Sequence, residues 1–179
     1  MKRNGMKKGW MLTAMFALAL VLTLAFGLTR TAAAAETYTI TYIDADGKTV
    51  TTGAQVLTSQ TTQLGGGRVY TADKDLTINE RLSLSGTATI VLQDGVKLKI
   101  PKGITVPSGK TLTICGQENN TGKLLIDTAT AYSAGIGGTK KETAGKIIIA
   151  GGKIDVRGGK YAAGIGSGYR GEKRRKSHY

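Results

Sequence analysis

From Leu76 onward the aliphatic residues come in alternating pairs, and the pairs recur. Leu76 and Ile78, Leu82 and Leu84, and Ile90 and Leu92 are followed 22 positions later by Leu98 and Ile100, Ile104 and Val106, and Leu112 and Ile114. Strict alternation buries one face of a strand, and a fixed period of roughly 20 to 50 residues marks stacked supersecondary units. Three short strands per unit, with Gly86, Gly95, Gly103 and Gly109 at or near the bends, predict an all-β chain. The architecture that fits is a right-handed parallel β-helix, a solenoid of about four to five coils. One coil cannot bury its own inward face, so stability comes from its neighbours, at about 0.8 kcal/mol per buried CH₂. The composition agrees: 26 Gly among 179 residues and 6% aromatics suit a narrow tube with many tight turns.

After Ile114 the spacing stretches, because Leu124 and Ile126 lie 26 positions beyond Leu98 and Ile100. The polar residues 117–122 supply the excess and are expected to bulge from one corner as a loop. A second repeat follows at an offset of 29, where Tyr132-Ser133-Ala134-Gly135-Ile136-Gly137-Gly138 recurs as Tyr161-Ala162-Ala163-Gly164-Ile165-Gly166-Ser167. Between the two copies, residues 146–152 and 153–159 read as strands that each end in a Gly pair. The glycines of Ala-Gly-Ile-Gly are expected in left-handed or bulged conformations, which only glycine visits without steric cost.

Upstream, residues 36–69 are less regular. Thr37 to Ile43 alternates, Asp44-Ala45-Asp46-Gly47 signals a turn, and the chain can return as a hairpin. This segment is expected to be an N-terminal hairpin or cap for the repeat domain at 70–169, the alternative being a linker. Residues 1–35 form a signal-peptide pattern: Lys2, Arg3, Lys7 and Lys8, an apolar helix-forming run over residues 11–28, then Ala32-Ala33-Ala34-Ala35. Export is therefore expected, to the extracellular space or cell surface, with the membrane met only through this segment before cleavage.

The net charge of +13 would by itself suggest a nucleic-acid partner. Its distribution argues otherwise. Residues 1–35 hold five basic residues and no acid; residues 170–179, a basic tail that reads as a truncation, hold five basic residues and one acid. The remaining body, residues 36–169, carries fifteen basic against eleven acidic residues, a mild excess of four, so no nucleic-acid partner is expected. One Cys and one His exclude an internal disulfide and a zinc site of Cys and His ligands within one chain, and no cofactor or metal is expected.

The run Asp75-Leu76-Thr77-Ile78, Leu82-Ser83-Leu84-Ser85-Gly86, Ile90-Val91-Leu92-Gln93-Asp94-Gly95, Ile104-Thr105-Val106-Pro107-Ser108-Gly109 and the two Ala-Gly-Ile-Gly motifs resembles a known kind of sequence. It is similar to the glycine-rich parallel β-helix repeat region of large secreted bacterial cell-surface, adhesin-like proteins. The resemblance covers about residues 70 to 169. It implies a surface module that contacts glycans and brings no catalytic residues with it.

Motif matches elsewhere carry no chemistry. Gly166-Ser167-Gly168-Tyr169-Arg170-Gly171 fits a dinucleotide fingerprint, but the chain ends eight residues later, without the required helix and distal acid. Gly109-Lys110-Thr111 lacks the first glycine of a P-loop, Ile104 standing in its place. β-Helical lyases and hydrolases use clustered acids on an outer face, and Asp127 and Asp155 are the nearest approach to such a pair. The expected activity is nonetheless non-catalytic: adhesion or binding of cell-wall or host polysaccharide, with Tyr132 and Tyr161 as an aromatic ladder for sugar faces. A polysaccharide lyase or hydrolase and a purely structural spacer are the alternatives.

Overall fold

The computed structural model describes residues 37–128 and 132–171; the signal-peptide pattern and nearly all of the basic tail lie outside them. Two longer strands come first, β1 (Thr37–Ile43) and β2 (Thr49–Val56), paired antiparallel as a hairpin. Asp44 closes its turn, its side chain accepting from the backbone N–H groups of Asp46 and Lys48. Short strands follow: β3 (Gln63–Leu64), β4 (Arg68–Thr71), β5 (Leu76–Thr77), β6 (Leu82–Leu84), β7 (Ala88–Leu92), β8 (Lys97–Lys99) and β9 (Ile104–Thr105). The last six are β10 (Thr111–Gly116), β11 (Lys123–Asp127), β12 (Ile136–Gly137), β13 (Lys146–Ile149), β14 (Lys153–Arg157) and β15 (Ile165–Gly166). No helix occurs among the described residues, and the chain is all-β over them.

The strands sort into three sheets. The first runs β1-β2-β4-β7-β10-β13, the second β14-β11-β8-β5, the third β15-β12-β9-β6-β3. From β4 to β15 the chain visits the first, second and third sheets in rotation, four times over. Every pairing in these turns is parallel. The pairing begins ahead of residue 70, with β2 beside β4 and β3 beside β6, and Leu57 and Leu64 are already buried in the common core.

The core is a set of aliphatic columns. Ile90, Ile114 and Ile149 stack through the first sheet, with Ala88, Leu112 and Ile147 as a second column beside them; Leu98, Leu124 and Ile154 stack through the second, and Leu82, Ile104 and Ile136 through the third. Leu76 pairs with Leu98, and Leu82 with Ile104, at the 22-residue offset. The first sheet departs from it. Ile90 pairs with Ile114 and Ala88 with Leu112, an offset of 24, where the repeat anticipated Leu112 beside Ile90. The cause is a longer turn after β9, closed by the Lys110 N–H donating to the Pro107 carbonyl, and a shift of two keeps the same face inward. The 26-residue spacing of Leu98 and Leu124 thus divides between this turn and the 117–122 loop, rather than arising from the loop alone.

The hairpin does more than extend the first sheet. Ile40, Tyr42 and Ala54 lie on its outer face, against the outward-pointing Val91 and Cys115, with Val50, Val69 and Ala150 around them. A bridge between Ile43 and Gly116 joins β1 to β10 and closes β1, β2, β4, β7 and β10 into a ring. Cys115 is therefore a buried small hydrophobe, and burial, followed by the Asp44 charge, pushes its thiol pKa up to about 11.

Two polar devices tie turns together. Arg81 donates to Thr105 Oγ1 (2.7 Å) and to the carbonyls of Lys102 (2.6 Å), Ala134 (2.9 Å) and Ile104 (3.3 Å), spanning three successive turns. Burial lowers the pKa of this guanidinium, with Glu142 acting against that. Asp94 accepts from the backbone and side chain of Asn119 and of Thr121, at 2.8 to 3.2 Å.

Candidate functional site

The second repeat builds the site. Ile136 lies beside Ile165 and Gly137 beside Gly166, so Tyr132 and Tyr161, each four residues ahead of its isoleucine, arrive at neighbouring heights where the second sheet turns into the third. Their rings stack with centroids 6.2 Å apart and an interplanar angle of 19°. The two rings are thus in contact with each other, and a third ring joins them. Tyr169 packs 5.4 Å from Tyr132 and 5.6 Å from Tyr161, tilted by 47° and 44°. Its backbone is pinned on both sides: Tyr169 N–H donates to the Tyr132 carbonyl (3.0 Å), and its own carbonyl accepts from Lys141 N–H (2.8 Å).

Each ring carries a cation. Lys140 Nζ lies 5.3 Å from the Tyr132 centroid, Lys160 Nζ 5.1 Å from that of Tyr161, and Arg170 Cζ 5.2 Å from that of Tyr169. Such contacts are worth about 0.5–1 kcal/mol at exposed sites. The ion pairs among the described residues are Lys97–Asp75 and Lys102–Glu80, so none of these three cations is matched by a described carboxylate. Glu142, nearby in sequence, is held by Thr139, whose N–H and hydroxyl both donate to its Oε2. The cluster remains open to solvent, with Tyr132 41% and Tyr161 66% exposed.

The backbone here is strained. Among the described residues four non-glycines have positive φ, and three of them, Lys141 (66°), Tyr161 (61°) and Arg170 (57°), belong to this corner. Left-handed conformations in such residues cost about 1 kcal/mol or more each and gather where function requires a fixed geometry. The motif glycines divide their roles differently from the expectation. Only the second of each pair, Gly137 (135°) and Gly166 (137°), has positive φ; Gly135 and Gly164 have ordinary backbone but no room for a Cβ.

Asp127 and Asp155 both lie on the outer face of the second sheet, but Asp127 stands opposite Arg157 and Asp155 opposite Leu125, so they do not share a rung. Among the described residues no group of three or more His, Cys, Asp or Glu is placed to hold a metal ion. A cleft of about 340 Å³ under the hairpin is lined by Thr41, Tyr42, Asp94, Gln117 and Asn119, among others. Gln117 spans it, donating to the Thr41 carbonyl and accepting from Asp94 N–H, which makes the 117–122 loop a latch on the hairpin.

One feature of the second sheet escaped the sequence reading. Lys97, Lys123 and Lys153 are register partners on three adjacent strands, all exposed. Each directly precedes a core aliphatic, Leu98, Leu124 or Ile154, so the periodicity that found those aliphatics also contains the lysines. Tyr169, Lys140 and Lys160 lacked any such signal, because no like residue stands 29 positions away, whereas Arg170 follows Lys141 at the offset of the tyrosines. No protein-family model matches the chain, and neither the curated proteins nor the solved structures yield a match.

Proposed function

We propose that this chain is a right-handed parallel β-helix, exported to the cell surface, that binds polysaccharide at its tyrosine corner without catalysing a reaction on it. The helical reading rests on the rotation of strands through three parallel sheets, and its hand on the near-universal preference of parallel crossovers. Export rests on the residue pattern at 1–35. The observation that carries binding is the corner itself: three tyrosines, three cations without a described acidic partner, and three left-handed residues in one exposed place. Aromatic rings on a rigid scaffold suit the C–H faces of sugars, while the phenol hydroxyls and cations suit their oxygens.

A spacer is the competing reading, favoured by the fact that the rings cover part of one another. A glycan array separates the two. The chain should bind a subset of cell-wall or host glycans, and Y132A/Y161A/Y169A should lose at least tenfold in affinity with its circular dichroism unchanged. Wild-type protein that binds no glycan, or a triple variant that binds as well as wild type, would establish the spacer instead.

A further inference from the structure

The lysine column on the second sheet is a feature that folding does not require. Outward positions of a solenoid can be filled by Ser or Thr at no electrostatic cost, yet Lys97, Lys123 and Lys153 stand in register on successive strands. Neighbouring parallel strands lie about 4.8 Å apart, and like charges directly opposite one another on a sheet are destabilising. Among the described residues the column makes one ion pair, Lys97 with Asp75 at 3.9 Å, at one end. The register survives a change in the length of the turns: the lysines are separated by 26 and then 30 residues, and the inserted residues loop out elsewhere. Lys99 and Arg157 add positive charge on the same outer face, against Asp127 and Asp155.

We infer that this face binds an extended acidic polysaccharide, one that carries a carboxylate on each sugar and runs along the stacking axis across the strands. The column offers one cation per rung, in a straight line, at about 4.8 Å. Duplex DNA presents phosphates on a helical path at about 3.4 Å per strand, a denser and curved array that a straight three-lysine column does not match. A uronate polymer carries one charge per sugar on an extended backbone, which three long, flexible lysine side chains in a line can follow. This site is separate in its residues from the tyrosine corner, and either can fail without the other.

The test uses polygalacturonate, with its fully methyl-esterified form as the uncharged polymer of the same backbone. By titration calorimetry near physiological ionic strength, the wild-type chain should bind the acid form and not the ester. K97Q/K123Q/K153Q should lose at least tenfold in affinity and show a shallower salt dependence. K48Q/R68Q/K102Q, which removes the same charge elsewhere, should bind like wild type. Relief of repulsion means the column variant should melt no lower than wild type at low salt, and K123Q alone should show a smaller loss in the same direction. The proposal is overturned if wild type ignores the acid polymer, if the ester or duplex DNA binds as tightly, or if the two triple variants lose equally. Loss of acid-polymer binding in Y132A/Y161A/Y169A but not in the column variant would also overturn it, leaving the corner as the binding site.

Discussion

At the scale of single residues, the corner is assembled from costs that are offset elsewhere. Gly166 is an instructive case, because a Cβ added there meets only Ala163 Cβ at an ordinary 3.5 Å, while its φ of 137° remains unfavourable for any L side chain. Gly166→Ala should therefore cost about 1–2 kcal/mol through backbone strain alone, and Gly53→Ala, at ordinary φ with open space around it, should be neutral or slightly stabilising. Equal denaturation midpoints for the two would remove strain from the explanation. Asp94 gives a pH signature. Burial pushes its carboxyl up, but the hydrogen bonds from Thr121 and Asn119 outweigh that and leave its pKa below the usual value. A folded-state pKa below the unfolded one means that the stabilisation is present above roughly pH 4 and is lost as pH falls through the folded value. Asp94→Asn should accordingly lower the melting temperature at pH 7, with the gap to wild type closing toward pH 2. A gap that does not depend on pH would contradict this.

Strands and turns show why the sequence was readable in some places and not in others. Alternation of Leu76, Ile78, Leu82 and Leu84 reveals which face is inward, and in the second and third sheets the 22-residue offset coincides with the pairing. In the first sheet it does not, because a slip of two residues leaves every side chain on its own face and so leaves no mark on the pattern. Tyr132 and Tyr161 were legible because they repeat; Tyr169, which folds back from beyond β15, was not. The role of the hairpin was hidden as well, since nothing in the alternation shows that Ile40, Tyr42 and Ala54 of β1 and β2 cover Val91 and Cys115. Position in the stack also decides what an aliphatic contributes. Ile114 is fully buried between β7 and β13, whereas its register partner Ile149 is 46% exposed on the last strand of the sheet. Ile114→Ala should cost about 2–5 kcal/mol and Ile149→Ala well under half as much, as measured by urea denaturation; equal losses would mean that the columns do not stack in the stated order.

For the described molecule as a whole, both binding proposals depend on one property: turns of unequal length are held in register by the aliphatic columns inside, so that side chains outside are stacked as well. The tyrosine corner needs Ile136 beside Ile165, and the lysine column needs Leu98 beside Leu124 beside Ile154. Disulfide trapping in a Cys115→Ser background tests that register most directly, because a disulfide requires Cα atoms within about 7 Å and adjacent rungs are about 4.8 Å apart. K97C/K123C and K123C/K153C should each close an intramolecular disulfide under mild oxidation, seen by mass spectrometry, while K97C/K153C, two rungs apart, should stay reduced. Failure of both adjacent pairs to close, or equally efficient closure of K97C/K153C, would contradict the stacked register.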